Sequence, residues 1–359
     1  MKKTNLYSIL MAGIVATSIS SCKNGDAEFP NYDHSAVYFA HQTPVRTLVM
    51  GEDTYDTSLD NAHKCKIYAT MGGAYGGSGS TVIDIMVDDE LCDNLYFADG
   101  VTPVQPMPSN YYSLSSEQIT LNEFNNLMGA VEVTFTDAFF EDPGALTNTY
   151  VIPLRMIHVA NADSILLGVP QEPNAPWTNT DMWDTAPQNY VLYCVKYINK
   201  WDAEYLRRGV DQITEGGNTT TNIRHEVYIE DDEVCSVTTK DLHTAIFPVS
   251  TTVGKETLTC DLILTFNDND ECTITSGTEG FTASGNGKFV VDGDKASWGN
   301  EEDRNALYLD YNIDFGAKQY NTKDTLVVQT RGVAYEEFST VYKRINKCPH
   351  GQVADIHIS

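Results

Sequence analysis

Basic side chains are scarce in this chain of 359 residues, which has 23 Lys and Arg against 50 Asp and Glu. The formal net charge is −27. A surface of that sign repels phosphate backbones, so we exclude nucleic acid as a partner. The simplest role for the acidic excess is to keep the protein soluble, and it leaves neutral ligands, cations and basic surfaces open as partners.

Signatures of catalysis are also missing. The sequence has no Gly-x-Ser-x-Gly elbow, no His-Glu-x-x-His helix, no P-loop and no Asp-x-x-Asp-x-Asp-x-Glu signature of chitinase-like glycosidases. Glycosidases need two carboxylates at a defined separation, and acids are too plentiful here to single out a pair. We therefore predict that the protein is not an enzyme, with an unrecognised hydrolase as the remote alternative.

Eight cysteines are present, but none form a Cys-x-x-Cys pair, and no His lies at a metal-finger distance from two of them. We expect most to be small buried side chains and leave one or two disulfides open. No cofactor is predicted. The one alternative is Ca²⁺ at residues 267–271 or 292–294, where clustered Asn and Asp are explained more simply by tight turns.

No apolar run is long enough to span a bilayer as a helix, which takes about 20 residues. The run over residues 6–16 follows two lysines and precedes small polar residues, as in a secretory signal, so we assign residues 1–21 to a signal peptide. Ile19-Ser20-Ser21-Cys22 resembles the bacterial lipobox. That resemblance implies lipidation of Cys22 and anchoring by several acyl chains. Residues 22–29 then form a tether whose acidic start resembles the signal for display on the outer membrane, facing the exterior.

Short runs with partial apolar–polar alternation recur between residues 30 and 162, separated by turn-rich stretches. Such runs predict strands, and the 20 Tyr residues of the chain fit this assignment. We predict an immunoglobulin-like β-sandwich over residues 30–162.

The segment 163–188 has three prolines between residues 169 and 176 and two of the four Trp residues, so we predict an extended linker. Strand patterns resume from residue 189, and residues 305–314 alternate cleanly. About eight to ten meandering strands over residues 189–359 predict a lipocalin-like antiparallel β-barrel or a closed sandwich. The predicted fold class is thus all-β.

Five further stretches have a characteristic composition: YCVKYINKWDAEYLRRG (193–209), FTASGNGKF (281–289), KASWGN (295–300), RNALYL (304–309) and VYKR (341–344). With the lipobox and the linker, they resemble a two-domain Bacteroidetes surface lipoprotein family of glycan-utilisation loci. Members commonly have His-Gly at the position of Asp202-Ala203, so no role is carried over to this pair. The resemblance implies an N-terminal module shared with endo-acting glycosidases, a C-terminal β domain and glycan binding.

Sugar recognition in β modules uses exposed aromatic rings that pack against the CH faces of pyranose rings. Trp177 and Trp183 are the first candidates because they lie in a proline-rich segment, and Tyr111 and Tyr112 follow. The alternative is that the linker tryptophans pin the two domains together.

Two more tryptophans, Trp201 and Trp298, lie in family-like stretches and predict either barrel packing or a pocket mouth. We predict a non-catalytic, lipid-anchored surface protein that binds a poly- or oligosaccharide for capture or uptake, next to an outer-membrane glycan-uptake complex. The alternative is a structural or adhesive cell-surface protein that contacts other proteins. An exposed sheet edge would favour this alternative.

Overall fold

The computed structural model describes residues 33–73, 79–121, 128–299 and 302–343. It is 60% strand and 7% helix, which confirms the all-β prediction. Within these ranges no helix combines the length and the apolar character that crossing a bilayer requires. The helical elements are single turns: α1 (Ser58–Asn61), α2 (Asp137–Phe140) and 3₁₀ turns at Asp89–Cys92, Pro143–Leu146, Thr180–Met182 and Ile229–Asp231.

Two sheets form the N-terminal sandwich. The strands up to the barrel are β1 (Ser35–Tyr38), β2 (Pro44–Val49), β3 (Lys64–Gly73), β4 (Thr81–Val87), β5 (Leu95–Phe97), β6 (Gln105–Pro106), β7 (Tyr112–Leu114), β8 (Gln118–Leu121), β9 (Met128–Phe135), β10 (Tyr150–Ala160), β11 (Ser164–Ile165), β12 (Val169–Pro170), β13 (Trp183–Thr185) and β14 (Tyr190–Ile198). One sheet has the order β11-β1-β3-β9-β7. The other includes β2-β14-β10-β4-β8, with β6 beside β10.

The sandwich core lies where the inner faces of these sheets meet. Ile83 and Ile85 on β4 pack in one cluster with Val131 and Val133 on β9, and all four are almost fully buried. Their spacing of two residues places each pair on one face of its strand. Burial of each such side chain contributes about 1.5–3 kcal/mol, so the alternation read from the sequence stabilises the sandwich.

Strand β14, which follows the predicted start of the C-terminal domain at residue 189, lies in a sheet of the sandwich. It pairs in parallel with β2 and antiparallel with β10. Its two faces are both covered, with Val195 in the sandwich core and Leu192 in a second cluster on the opposite side of the sheet. A strand that is buried on both faces is apolar in both phases, so its sequence does not reveal which sheet it joins.

The barrel follows after a short crossing. Its region contains β15 (Ala203–Glu215), β16 (Asn218–Arg224), β17 (Glu233–Asp241), β18 (Thr244–Val253), β19 (Glu256–Phe266), β20 (Glu271–Ser276), β21 (Thr282–Trp298), β22 (Glu302–Asp314) and β23 (Lys318–Thr330). Strands β15 and β17–β23 form a closed eight-stranded barrel, because β23 pairs back onto β15. The barrel prediction is confirmed. Strand β16 stands outside the barrel and pairs with the far half of β15.

After the barrel the chain returns to the sandwich. The predicted C-terminal domain over residues 189–359 did not anticipate this return. Strands β24 (Glu336–Glu337) and β25 (Thr340–Tyr342) pair with β2 and β5. Phe338 lies between them and is buried in the second sandwich cluster with Leu192. Strands this short leave almost no periodicity in a sequence, so pairing at this distance along the chain could not be inferred.

The described cysteines are all free thiols, which confirms their predicted role as small packed side chains. Burial raises the pKa of five of them to about 12, so they stay protonated at neutral pH. The free cysteines are Cys65, Cys92, Cys194, Cys235, Cys260 and Cys272. Cys22 and Cys348 lie outside the described residues.

Candidate functional site

A cleft of about 910 Å³ lies between the sandwich and one end of the barrel. Residues 50–55, which follow β2, form its wall on the sandwich side. The barrel side is formed by Lys200 and Trp201, the β19–β20 turn, and residues near the bulges of β21 and the end of β23. The volume falls within the range of about 300–1,000 Å³ typical of small-molecule sites.

The sandwich wall is a loop that side-chain hydrogen bonds hold in place. The Asn61 amide donates to the carbonyl of Gly51 and accepts from its N–H, at 2.9 and 2.7 Å. The Thr57 hydroxyl donates to the same carbonyl at 2.7 Å. Gly51 has φ +83°, and a Cβ there would lie 2.7 Å from Cγ of Lys200. The loop therefore needs glycine where it meets the barrel, and it presents Tyr55 with 41% of its surface exposed.

The β19–β20 turn on the barrel side is the segment considered above for Ca²⁺. The Asn267 side chain accepts from the N–H groups of Asn269 and Glu271 at 2.9 and 3.1 Å. Asp270 has φ +61° and forms an ion pair with Lys200 at 2.7 Å. These contacts are those of a tight turn. In the ranges that the structure describes, no three His, Cys, Asp or Glu side chains are grouped so that they could hold a metal ion.

The floor of the cleft is aromatic. Trp201 is 5% exposed and stacks on Phe266 with ring centroids 3.8 Å apart and planes at 7°. Its indole Nε1 is buried, yet has no acceptor among the described residues. A buried donor without a partner costs about 1–3 kcal/mol, so a ligand oxygen that accepts this hydrogen would bind favourably. Trp201 belongs to the core cluster of the barrel and also lines the cleft.

Arg331, just beyond β23, ties the two walls together through four backbone carbonyls. Its Nη1 donates to Met50 at 2.7 Å and to Glu52 at 3.3 Å, both in the sandwich loop. Nε donates to Asp202 at 3.0 Å, and Nη2 donates to Asn199 in the crossing to the barrel. Burial lowers the pKa of Arg331, although Tyr205 and nearby acids oppose this effect. The guanidinium thus sets the position of the loop relative to the barrel end.

The linker tryptophans are not in the cleft. Trp177 and Trp183 stack on each other with centroids 5.3 Å apart, and Trp183 is only 8% exposed. The Trp183 indole donates to the carbonyl of Pro176 at 2.9 Å. Trp177 is half-buried and packs on the second sandwich cluster, near Arg155. Trp183 therefore offers no open ring face, and the pair attaches the linker to the sandwich alone.

The remaining predicted residues also lie away from this cleft or outside the description. Tyr111 and Tyr112 are half-buried against the sandwich core, and the Tyr111 hydroxyl donates to Asp142 at 2.8 Å. Burial raises the pKa of Tyr112 to about 12. The Trp298 side chain and Cys22 lie outside the described residues.

Sequence reasoning missed Tyr55, Asn61 and Arg331. Tyr55 stands in the polar run Glu52-Asp-Thr-Tyr-Asp-Thr57, and an aromatic residue inside such a run is a signal of exposure that could have been used. Arg331 gave no signal, because its acceptors are backbone groups of residues more than a hundred positions away.

Comparison with known proteins gives matches for both halves of the chain. A family model described as a domain of unknown function, DUF5627, matches residues 200–332, and a model of an N-terminal domain matches residues 30–163. No curated protein matches the sequence. The DUF5627 match begins at residue 200, just before the first barrel strand β15.

Several solved structures from Bacteroides ovatus are similar. One, a structural-genomics protein of unknown function, is 43% identical with a TM-score of 0.82, over 88% of this chain and 100% of that chain. A second protein of unknown function is 13% identical with a TM-score of 0.39, over 85% and 99%. A third, from ATCC 8483, to which carbohydrate binding is provisionally ascribed, is 12% identical with a TM-score of 0.29, over 82% and 98%. The last two similarities are too low to support an inference about this chain.

The first similarity extends through both domains at high identity. The two family models match the sandwich and the barrel separately, so the two proteins share this order of domains. The chain therefore belongs to the same two-domain Bacteroidetes family as that Bacteroides ovatus protein, with a barrel of the DUF5627 type.

Proposed function

We propose that the protein is a non-catalytic, lipid-anchored surface protein that binds an oligosaccharide in the cleft between the sandwich and the barrel. The observation that supports this proposal is the lining of the cleft, where an aromatic floor and the half-open ring of Tyr55 are surrounded by amide and carboxylate side chains. The proposal moves the sugar site from the linker, where sequence reasoning placed it, to the barrel end.

The chemistry of the lining suits a sugar. The exposed ring of Tyr55 can pack against the CH face of a pyranose, while amides such as Asn305 and Gln329 can donate to and accept from ring hydroxyls. The buried Nε1 of Trp201 adds one fixed donor at the floor. A few fixed polar groups on a largely apolar surface orient a small ligand, which is the usual construction of such sites.

The location of the protein is proposed from its N-terminal sequence. Acylation of Cys22 would hold the chain at the outer membrane, facing the exterior, and the tether would leave the cleft free to pass glycans to an uptake complex. Mass spectrometry of the protein from a membrane fraction checks for acyl chains on Cys22.

Replacement of Tyr55 by alanine is expected to weaken glycan binding roughly tenfold, since stacking of a ring contributes about 1.4 kcal/mol in such a site. The side chain is 41% exposed and its hydroxyl interacts with Arg46, so thermal unfolding of the variant is measured beside that of the parent protein. The measurement is binding of the purified protein to a glycan array, followed by calorimetric titration with the best ligand.

The matched control is Trp177→Ala, which removes an aromatic ring at a half-buried position outside the cleft. It should lower the free energy of unfolding and leave glycan affinity unchanged. Loss of binding in Trp177→Ala with full binding in Tyr55→Ala would return the site to the linker and contradict our proposal.

A second candidate, contact with another protein, is favoured by the free edge of β16. This strand pairs only with β15 among the described strands, and residues on it and just after it expose large apolar side chains. Ile223 is 64% exposed, and Val227 and Tyr228 are 86% and 67% exposed. An unpaired edge beside apolar side chains can accept a strand from a partner. If no glycan bound to the array, this edge would become the leading candidate surface.

A further inference from the structure

Three Lys and Arg side chains among the described residues line the cleft, and each interacts with another group of the protein. Lys200 lies 2.7 Å from Asp270, and Arg304 lies 3.6 Å from Glu302. The Arg331 guanidinium donates to four backbone carbonyls, as described above. An anionic ligand would therefore have to displace one of these contacts to gain a charged partner.

Carboxylates in the cleft are more numerous, and several are open. Three of them, Glu52 on the sandwich loop, Asp268 on the β19–β20 turn and Asp292 on β21, accept no side-chain hydrogen bond among the described residues, although Asp292 interacts electrostatically with Lys295. They come from three separate segments, so negative charge surrounds the opening from both domains. Asp53, Asp270 and Asp303 add three more carboxylates that already have donors.

A second, independent feature indicates what the ligand supplies. Trp201 is 5% exposed, lines the cleft and carries a buried indole N–H without an acceptor among the described residues. A ligand that satisfies both features needs an oxygen acceptor for the indole and hydroxyl donors for the open carboxylates. Hydroxyl groups of an uncharged sugar provide both at once.

We infer that the cleft selects uncharged oligosaccharides and rejects those that carry uronate or sulfate groups. This inference rests on the proposed function and makes it more specific. Carboxylates accept hydrogen bonds from neutral hydroxyls, whereas an acidic sugar brings like charges together and loses its hydration without compensation. Selectivity thus comes from repulsion of the wrong ligand as much as from contacts with the right one.

The test uses pairs of oligosaccharides with glucose, mannose, galactose or N-acetylglucosamine backbones, each pair differing only in a uronate or sulfate group. For any backbone that binds, the acidic member should bind at least about tenfold more weakly at about 50 mM salt. This difference in affinity should become smaller at about 500 mM salt, where the Debye length falls to a few ångströms.

The triple variant Glu52→Gln/Asp268→Asn/Asp292→Asn should reduce the difference in affinity between the neutral and the acidic oligosaccharide of each pair. The control Asp93→Asn/Glu117→Gln/Glu141→Gln removes the same charge from exposed positions outside the cleft and should leave it unchanged. Equal or tighter binding of acidic members would overturn the charge selectivity while glycan binding stood. If no oligosaccharide of any pair bound, both the charge selectivity and the proposed glycan binding would be overturned.

Discussion

Replacing Asp324 by alanine should lower the free energy of unfolding by about 3–5 kcal/mol, as expected when one partner of a buried ion pair is removed. The Asp324 carboxylate is fully buried and lies 3.0 Å from Nη2 of Arg207. It also accepts from the Tyr311 hydroxyl at 2.7 Å and from Arg224. Without it, the guanidinium of Arg207, which is itself 10% exposed, would remain charged in a space closed to water. Urea denaturation followed by circular dichroism gives the measurement.

The control for this experiment is an ion pair on the surface of the same strands. Asp310 lies 3.1 Å from Lys323, but the two side chains are 49% and 73% exposed. Asp310→Ala should therefore change the free energy of unfolding by less than about 1 kcal/mol. If Asp324→Ala were no more destabilising than Asp310→Ala, the buried network would not stabilise the barrel as we describe.

The wider network explains why Asp324 is placed centrally. Arg224 on the outer strand β16 forms an ion pair with Asp211 at 2.7 Å as well as with Asp324. Burial acts to raise the pKa of Asp211, but the hydrogen bond and charge of Arg224, together with a hydrogen bond from Thr322, lower it below its usual range. The network thus joins β16 to the barrel through β15 and β23, and loss of Asp324 removes a link common to all three strands.

The sequence predicted what depends on local pattern. Residues 305–314 alternate, and the structure buries Leu307, Leu309, Tyr311 and Ile313 inside the barrel. Alternation depends only on the direction of successive side chains along one strand, so it can be recognised in the sequence before the partner strands are known. The same argument holds for the paired isoleucines of β4 in the sandwich.

Features that depend on register could not be read from the sequence. Arg207 and Asp324 are 117 positions apart, and they meet only because β15 and β23 close the barrel. For a related reason the sequence did not show that β14 lies in the sandwich, since its apolar residues contribute to two clusters at once. Strand type is a local property, whereas strand partners are set by the whole fold.

Exposure of the linker tryptophans was inferred from neighbouring prolines, and the structure shows them packed instead. Trp177 and Trp183 cover each other and a patch of the sandwich, so the proline-rich segment buries aromatic surface instead of presenting it. The cleft, in contrast, depends on the contact between two domains. Its walls come from residues near position 50, near position 200 and near position 330, and no window of sequence contains them together.

That contact leads to the second large effect, which we expect from Arg331→Met. Methionine keeps much of the side-chain volume but donates no hydrogen bond, so the carbonyls of Met50, Glu52, Asn199 and Asp202 lose their shared donor. Hydrogen bonds to charged groups contribute about 1.5–3 kcal/mol each, and water can replace only those that become exposed. We expect the free energy needed to open the loop away from the barrel to fall by about 3 kcal/mol.

Hydrogen exchange measures this opening directly. The amides of Met50 and Gly51 donate to Ile198 and Asn61 in the closed loop. Their exchange should accelerate roughly a hundredfold in Arg331→Met, since each 1.4 kcal/mol corresponds to a factor of ten. Lys323→Met removes a positive charge from the exposed barrel surface and should leave both amides unchanged. Exchange that accelerated equally throughout the sandwich core would contradict a role for Arg331 in holding the cleft, because general destabilisation would then explain the effect.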